Sequence, residues 1–405
     1  MSLTHKRNLR TGHAVWSAYR HPKLEFDKLH RNTRADIVVV GAGITGALVS
    51  HALTQAGLTP LILDRRDGAR LGSTAASTAL LQFELDTPLV KLTSQLGRRA
   101  AEQAWKCSRG AVNELRTQVH RLRIEASMEL RPSLYLAGDV LNAAGLAREV
   151  RARQRIGLPS ELLTREALRH HFDIDRDAAI LSHGNAEADP IALAEGFLRH
   201  ALRNGARLHA PHEVADLHVS RRGITLITAD GIEVGARRVV LCTGYELPKI
   251  VPAGKHQIIS TWAVATRPQP EKLWAQRALI WEASEPYLYV RATRDGRVIC
   301  GGEDEEYSDA ARRDAQIPAK TARLQSKLGK LLPDLDPRAA FSWTGNFGTS
   351  STGTPTIGEI PGYPHCYAAL GYGGNGITFS MLAASLLSAA VRGKRDPDAR
   401  IFEFR

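Results

Sequence analysis

An apolar run that stops at three spaced glycines, Asp36-Ile-Val-Val-Val-Gly41-Ala42-Gly43-Ile44-Thr45-Gly46, dictates how this chain begins to fold. The β-branched run favours a strand. Gly41 permits a tight turn, Gly43 leaves room for backbone to approach a pyrophosphate, and Gly46 lets the following helix lie close on the strand. That helix start offers unpaired N–H groups and a positive dipole end to phosphate. Leu61-Ile-Leu-Asp64 reads as the next parallel strand, with Asp64 falling 18 residues after Gly46, where a carboxylate accepts from a ribose diol. Three glycines alone fit a turn without a ligand. With a strand before, a helix after and the acid beyond, they read as a βαβ unit that holds a dinucleotide.

A chain of 405 residues exceeds one ordinary domain, so two packed domains with a shared cleft are expected. Residues 1–34 are polar and basic, with scattered anchors at Trp16, Tyr19, Leu24 and Phe26, and read as an arm laid over the body. The nucleotide domain is assembled from 35–90, 181–255 and 336–405. The substrate domain takes 91–180 and 256–335. Asp189-Pro190 announces a helix by its cap and first-turn proline, and Gly205 falls where that helix stops. The alternation around Trp262, Trp281, Tyr287 and Tyr289, with a turn at Arg294-Asp295-Gly296, predicts an antiparallel sheet. The fold class is therefore α/β, α+β overall: a Rossmann-like domain beside a mixed, largely antiparallel one.

The formal charge of +12 raises the question of an anionic partner. Its arginines are dispersed in short groups such as Arg98-Arg99 and Arg221-Arg222, with no recognised module, so nucleic acid is not an expected partner. No run approaches the length of a membrane span, which makes a cytoplasmic location the default. Cys107, Cys242, Cys300 and Cys366 lie far apart with no CxxC pair, which argues against structural zinc and suits a reducing compartment. No metal site is expected.

The chain ends on a second glycine-rich turn, Gly371-Tyr-Gly373-Gly374-Asn375-Gly376-Ile377-Thr378, leading into a helix. A helix N-terminus there stabilises the negative charge of a reduced flavin, and the glycines let backbone reach the ring. The alternative is a strand-to-helix turn that merely requires positive φ. Between the two turns, Gly72-Ser73-Thr74-Ala-Ala-Ser-Thr78 offers hydroxyls and bare backbone to phosphate or to a ring edge.

In their order along the chain, Val38–Gly46 with Asp64, Gly72–Thr78, Val239–Gly244, and Trp343-Thr-Gly345 through Pro355-Thr-Ile-Gly358 to Gly371–Thr378 resemble the FAD-dependent D-amino-acid oxidase and glycine oxidase superfamily. The arm with Trp16 and the Trp-Thr-Gly spacing look closest to its γ-glutamylputrescine oxidase-like branch. The resemblance implies non-covalent FAD, with ribose on Asp64, adenine beside Val214, and pyrophosphate on Gly41, Ala42, Gly43, Ile44, Thr45, Gly46, Ser73 and Thr74. It places the flavin against Thr78, Ala79, Leu80 and Leu81, against Thr243, Gly244 and Gly345, and against Gly373, Gly374, Asn375, Gly376, Ile377 and Thr378. Arg65 and Arg66 beside the ribose acid permit a competing NADP reading, which leaves the C-terminal glycine turn unexplained.

The reaction the resemblance implies is hydride transfer from the carbon beside a neutral amine to flavin N5, giving an imine that hydrolyses. Oxygen or another acceptor then reoxidises the flavin. Tyr287, Tyr289 and Arg291 fall on one face of a strand. If that face looks onto the flavin, the tyrosines orient the substrate and Arg291 holds an anionic end; the alternative is core packing. Tyr289 matches an active-site tyrosine of the family. Two positions depart from it. Phe347 stands where glycine oxidase-like enzymes keep a carboxylate-gripping arginine, and Val298-Ile299-Cys300-Gly301 lacks the oxygen-activating lysine of sarcosine oxidase-like members. The alternatives are a FAD-dependent 2-hydroxy-acid dehydrogenase and a basic nucleic-acid-associated flavoprotein.

Overall fold

The computed structural model describes residues 3–22, 24–67, 71–252, 254 and 256–404, which two mixed sheets organise. The first is built around Thr33–Val40, whose Ile37–Val40 half is buried, as befits a central parallel strand. Leu61–Leu63 and Glu233–Leu241 flank it in parallel, and Arg207–His209 and Cys366–Leu370 continue the parallel order outward. Helices Ile44–Gln55 and Gly376–Val391 pack against each other. Both are apolar almost all round because neighbours cover them on several sides. Helix Pro190–Arg203 joins them, started by Asp189, whose Oδ1 accepts from the N–H groups of Ile191 at 2.9 Å and Ala192 at 3.0 Å.

The second sheet has ten strands, nine of them in its main path. Its middle runs through Ala339–Ser350, His256–Thr266, Val298–Glu305, Leu288–Ala292 and Leu279–Glu282, antiparallel throughout. Glu129–Leu136 then adds in parallel to Leu279–Glu282 and antiparallel to Ala178–Glu187. Alternation divides its residues. Leu288, Val290 and Val264 face a core sealed by Leu324, Leu328 and Leu331 of helix Ile317–Leu331. Tyr287, Tyr289, Thr261, Ala263, Trp343, Gly345 and Phe347 face the cleft between the sheets. The arm adds the edge strand Arg10–Gly12 to Ala339–Ser350 and buries Trp16.

Two segments sit elsewhere than their local patterns suggest. Helix Arg98–Arg121, expected in the substrate domain, buries Ala101, Trp105, Val112 and Leu115 in the core shared with helices Ile44–Gln55 and Gly376–Val391. An amphipathic stripe tells which face is buried, not what covers it. Ala339–Ser350, expected with the nucleotide domain, is instead an interior strand of the second sheet. Among the described residues no helix is long and apolar enough to cross a membrane.

Candidate active site

One cleft runs from the first glycine turn to the aromatic face of the second sheet and encloses about 1880 Å³ of space free of atoms, its mouth included. Its nucleotide end is set by backbone. Gly41 has φ +108°, and a Cβ there would meet the Cys242 carbonyl oxygen at 2.3 Å. A Cβ at Gly46 would stand 1.8 Å from the Gly41 oxygen, so turn and helix close only with glycine. Asp64 is stitched to this turn: its Oδ2 accepts from Ala42 N–H at 2.6 Å and its Oδ1 from Arg66 N–H at 2.7 Å. Burial pushes its pKa up, opposed by those two N–H groups and by Arg66 and Arg65. Each oxygen keeps a lone pair for a ribose hydroxyl.

The arginines beside it are already occupied. Arg65 Nη2 donates to Glu246 Oε1, Arg66 Nη2 donates to Glu246 Oε2 at 2.9 Å, and Arg7 N–H donates to Glu246 Oε1 at 2.8 Å. Glu246 is 2% exposed, so the two guanidiniums spend their charge inside the protein rather than on a 2′-phosphate. Thr74 Oγ1 accepts from Ile44 N–H at 3.0 Å, and the neighbouring Ser73 hydroxyl is buried without a partner. An orphaned donor beside a helix N-terminus is what a pyrophosphate would satisfy.

The ring end is built by the last glycine turn and by residues 76–86. Gly373 N–H donates to the Gly348 carbonyl at 2.8 Å, and Asn375 Nδ2 donates to the Glu84 carbonyl at 2.7 Å. Thr378 Oγ1 donates to the Gln82 carbonyl at 2.9 Å. Thr45 Oγ1 and Ser380 Oγ meet at 2.8 Å, tying together the helix starts contributed by the two ends of the chain. Opposite, the carbonyls of residues 76–79 each accept from a side-chain donor of another segment. Trp343 Nε1 donates to Ala76 at 2.9 Å, Trp16 Nε1 to Ser77 at 2.7 Å, and Arg291 Nη1 to Thr78 at 3.2 Å and Ala79 at 2.9 Å. This stretch is thereby pinned along the cleft wall.

Most of the residues expected to hold FAD line this cleft: Gly41, Gly43, Ile44, Thr45, Asp64, Arg65, Arg66, Ser73, Thr74, Thr78, Ala79, Leu80, Val214, Thr243, Gly244, Gly345, Gly373, Gly374, Asn375, Gly376 and Ile377. Ala42, Gly46, Leu81 and Thr378 stand one layer behind. Ala42 anchors Asp64, Gly46 closes the turn, Leu81 is core, and Thr378 holds the 82–86 segment. Asn375 reaches the cleft, but its Nδ2 is committed to Glu84 rather than free for a ring edge.

Tyr287 and Tyr289 do line the cleft, with ring centroids 5.9 Å apart. Tyr289 lies across Gly301 of the adjacent strand, where a Cβ would meet its hydroxyl at 2.2 Å. Burial, reinforced by the charge of Asp304, raises both phenol pKa values and keeps the hydroxyls protonated as donors. Arg291 corrects the sequence reading. It is 3% exposed, does not line the cleft, and donates to the carbonyls of Thr78, Ala79, Ala188 and, through Nε at 3.0 Å, Ala292, with Glu187 Oε2 3.6 Å away. It braces the wall and is not available to a substrate.

Sequence reasoning passed over several groups of the ring end. Asp86, Tyr245, Thr261 and Trp281 line it together with Phe347. The Asp304 carboxylate is buried behind them; Tyr287 and Thr261 face it, yet neither reaches it with hydrogen-bond geometry. Burial first, and Asp86 after it, push Asp304 up to about 6. Asp304 sits among Glu303, Glu305 and Glu306, a run that reads as solvated surface, and only its alternation with Gly302 along the strand hints at an inward side chain.

A family model described as FAD dependent oxidoreductase matches residues 36–390. γ-Glutamylputrescine oxidoreductase of Escherichia coli is 26% identical over 383 residues, covering 91% of this chain and 86% of that protein. Among solved structures, glycine oxidase from Geobacillus kaustophilus superposes with a TM-score of 0.73 at 21% identity, covering 90% of this chain and 96% of that one. L-proline dehydrogenase from P. horikoshii gives a TM-score of 0.75 at 18% identity, over 92% and 97% of the two chains.

Proposed function

Given that the chain belongs to the FAD-dependent oxidoreductase family, we propose that it oxidises a C–N bond of an amine or N-substituted amino acid. When bound, FAD supplies the two-electron acceptor, and the imine left on the substrate takes up water to give a carbonyl compound and the freed amine. The nucleotide would rest on Gly41–Gly46, Asp64, Ser73 and Thr74, and the ring system between residues 78–80 and the helix start at Gly376. The orphaned Ser73 hydroxyl beside the first helix start supports this seat. Cys242 belongs to the nucleotide turn rather than the ring end, 3.5 Å from where a Gly46 Cβ would stand, which supports dissociable FAD.

The observation that carries the amine reading is the charge of the ring end. Among the described residues the arginines and lysines lining the cleft are Arg65 and Arg66, and both stand at the nucleotide end on Glu246. A 2-hydroxy acid always brings a carboxylate, which would find no cation among the described residues of the ring end, so the dehydrogenase alternative is disfavoured, and on the same ground an amine without a carboxylate beside the reacting carbon is favoured over an N-substituted α-amino acid. Protonated Tyr287 and Tyr289 hydroxyls orient the substrate, and Trp281, Tyr245 and Phe347 keep water from it. Tyr289 over Gly301 fills the place where a lysine would promote reaction with oxygen, which supports a carrier as the physiological acceptor. Four free thiols suit a cytoplasmic, reducing setting.

The test is an anaerobic panel of amines, N-substituted amino acids and 2-hydroxy acids mixed with FAD-loaded protein. The reading expects bleaching of the flavin band by amines. Bleaching by hydroxy acids alone would replace it with the dehydrogenase.

A further inference from the structure

The carboxylates of the ring end say more about the substrate, on the premise of the amine reading. Asp86 is laid on the last glycine turn, its Oδ2 accepting from Gly374 N–H at 2.8 Å. The approach is so close that a Cβ at Gly373 would stand 2.2 Å from Oδ2, and one at Gly374 2.9 Å from Oδ1. Two adjacent glycines are what allow a carboxylate to occupy this spot. Asp86 lines the cleft, and among the described residues it forms no ion pair.

The neighbouring acid is different. Glu84 receives Ser133 Oγ on Oε1 and has Arg153 Nη1 3.9 Å away, so its charge is answered from within the core. Asp304, behind Tyr287, adds a second negative charge to the field around Asp86. Asp86 is exposed to the open cleft, and its single N–H partner leaves the carboxylate charge unanswered by any cation among the described residues, so an arriving ammonium meets an unpaired anion. The walls suit such a cation as well, since the aromatic residues Tyr245, Tyr287 and Trp281 line the same cleft.

We propose that the substrate is a diamine-type molecule: one nitrogen is neutral and undergoes oxidation, while a second, protonated nitrogen is held by Asp86. The ring end thus selects for a remote positive charge, where a carboxylate-binding site would select for a negative one. Asp86 is a specificity-determining residue, because oxidation itself requires nothing of it.

Three ligands of equal chain length test this: a terminal diamine, the corresponding monoamine and the ω-amino acid. Each is titrated anaerobically into FAD-loaded wild type and Asp86→Asn, with dissociation constants read from the perturbation of bound-flavin absorbance and bleaching rates recorded beside them. The asparagine oxygen still accepts from Gly374 N–H, so the turn is retained. Wild type is expected to bind the diamine at least about tenfold more tightly than the monoamine, and the ω-amino acid more weakly than either. In Asp86→Asn the diamine-to-monoamine ratio falls to within about threefold. Equal binding of diamine and monoamine by wild type overturns the proposal, even if the variant fails to fold, and leaves the amine reading intact. A variant that keeps the wild-type ratio also overturns it. Bleaching by hydroxy acids with no response to any amine would sink both.

Discussion

Replacing Arg291 by methionine separates a structural brace from a substrate anchor. The side chain is 3% exposed and its guanidinium donates to four carbonyls, two of them belonging to Thr78 and Ala79 on the cleft wall. Breaking a buried charged contact costs about 3–5 kcal/mol. Glu187 would keep Arg131 at 3.0 Å, so the loss falls at the lower end, about 3 kcal/mol. With an unfolding entropy of about 2.1 cal/mol/K per residue over 405 residues, that lowers Tm by about 4 °C. Freed carbonyls at Thr78 and Ala79 also loosen the wall, weakening FAD by about tenfold, or about 1.4 kcal/mol. Calorimetry of the FAD-loaded pair and equilibrium dialysis of FAD measure both effects. An unchanged Tm and FAD affinity, with KM raised only for anionic substrates, would refute the reasoning and restore Arg291 as an anchor.

Other perturbations report on separate parts of the cleft. Gly46→Ala places a methyl 1.8 Å from the Gly41 oxygen, and the protein should purify without flavin absorbance, having lost about 3 kcal/mol or more. Tyr289→Phe is expected to retain FAD but lower kcat/KM for the best amine by about tenfold, as befits one lost orienting hydroxyl; unchanged kinetics would count against its role. Asp304 is raised from 3.8 to about 6 in the folded protein, so both states are neutral below 3.8, and the cost of ionising the folded form grows through that window and is complete above it. Asp304→Asn should therefore be more stable than wild type by up to about 3 kcal/mol at pH near 8, the gain shrinking as pH falls toward about 4. Denaturant midpoints at the two pH values check the sign, and a gain larger at low pH would contradict it.

What the sequence disclosed was mostly local. The turn at Gly41–Gly46, the helix capped by Asp189 and the helix start at Gly376 each depend on a few adjacent residues, and the structure has them where they were expected. Long-range partnerships were not legible. Glu246 answers Arg65 and Arg66 from 181 and 180 residues away, and nothing near the arginines announces it. Alternation correctly placed Tyr287, Tyr289 and Arg291 on one face. A period of two gives the face but not how far along it the cleft extends, and Arg291 lies beyond its edge. Asp86 had no signal of its own, because its meaning comes from two glycines almost 300 residues later on which it rests.

On the proposed reading this cleft couples FAD to the oxidation of an amine. The direct measurement is an anaerobic single turnover: FAD-loaded protein is mixed with excess of the best amine, flavin absorbance is followed, and the carbonyl product is quantified after quenching. One carbonyl is expected per flavin bleached, with none formed when the protein is stripped of FAD. Bleaching without carbonyl product, or carbonyl formation in the FAD-free protein, would contradict it.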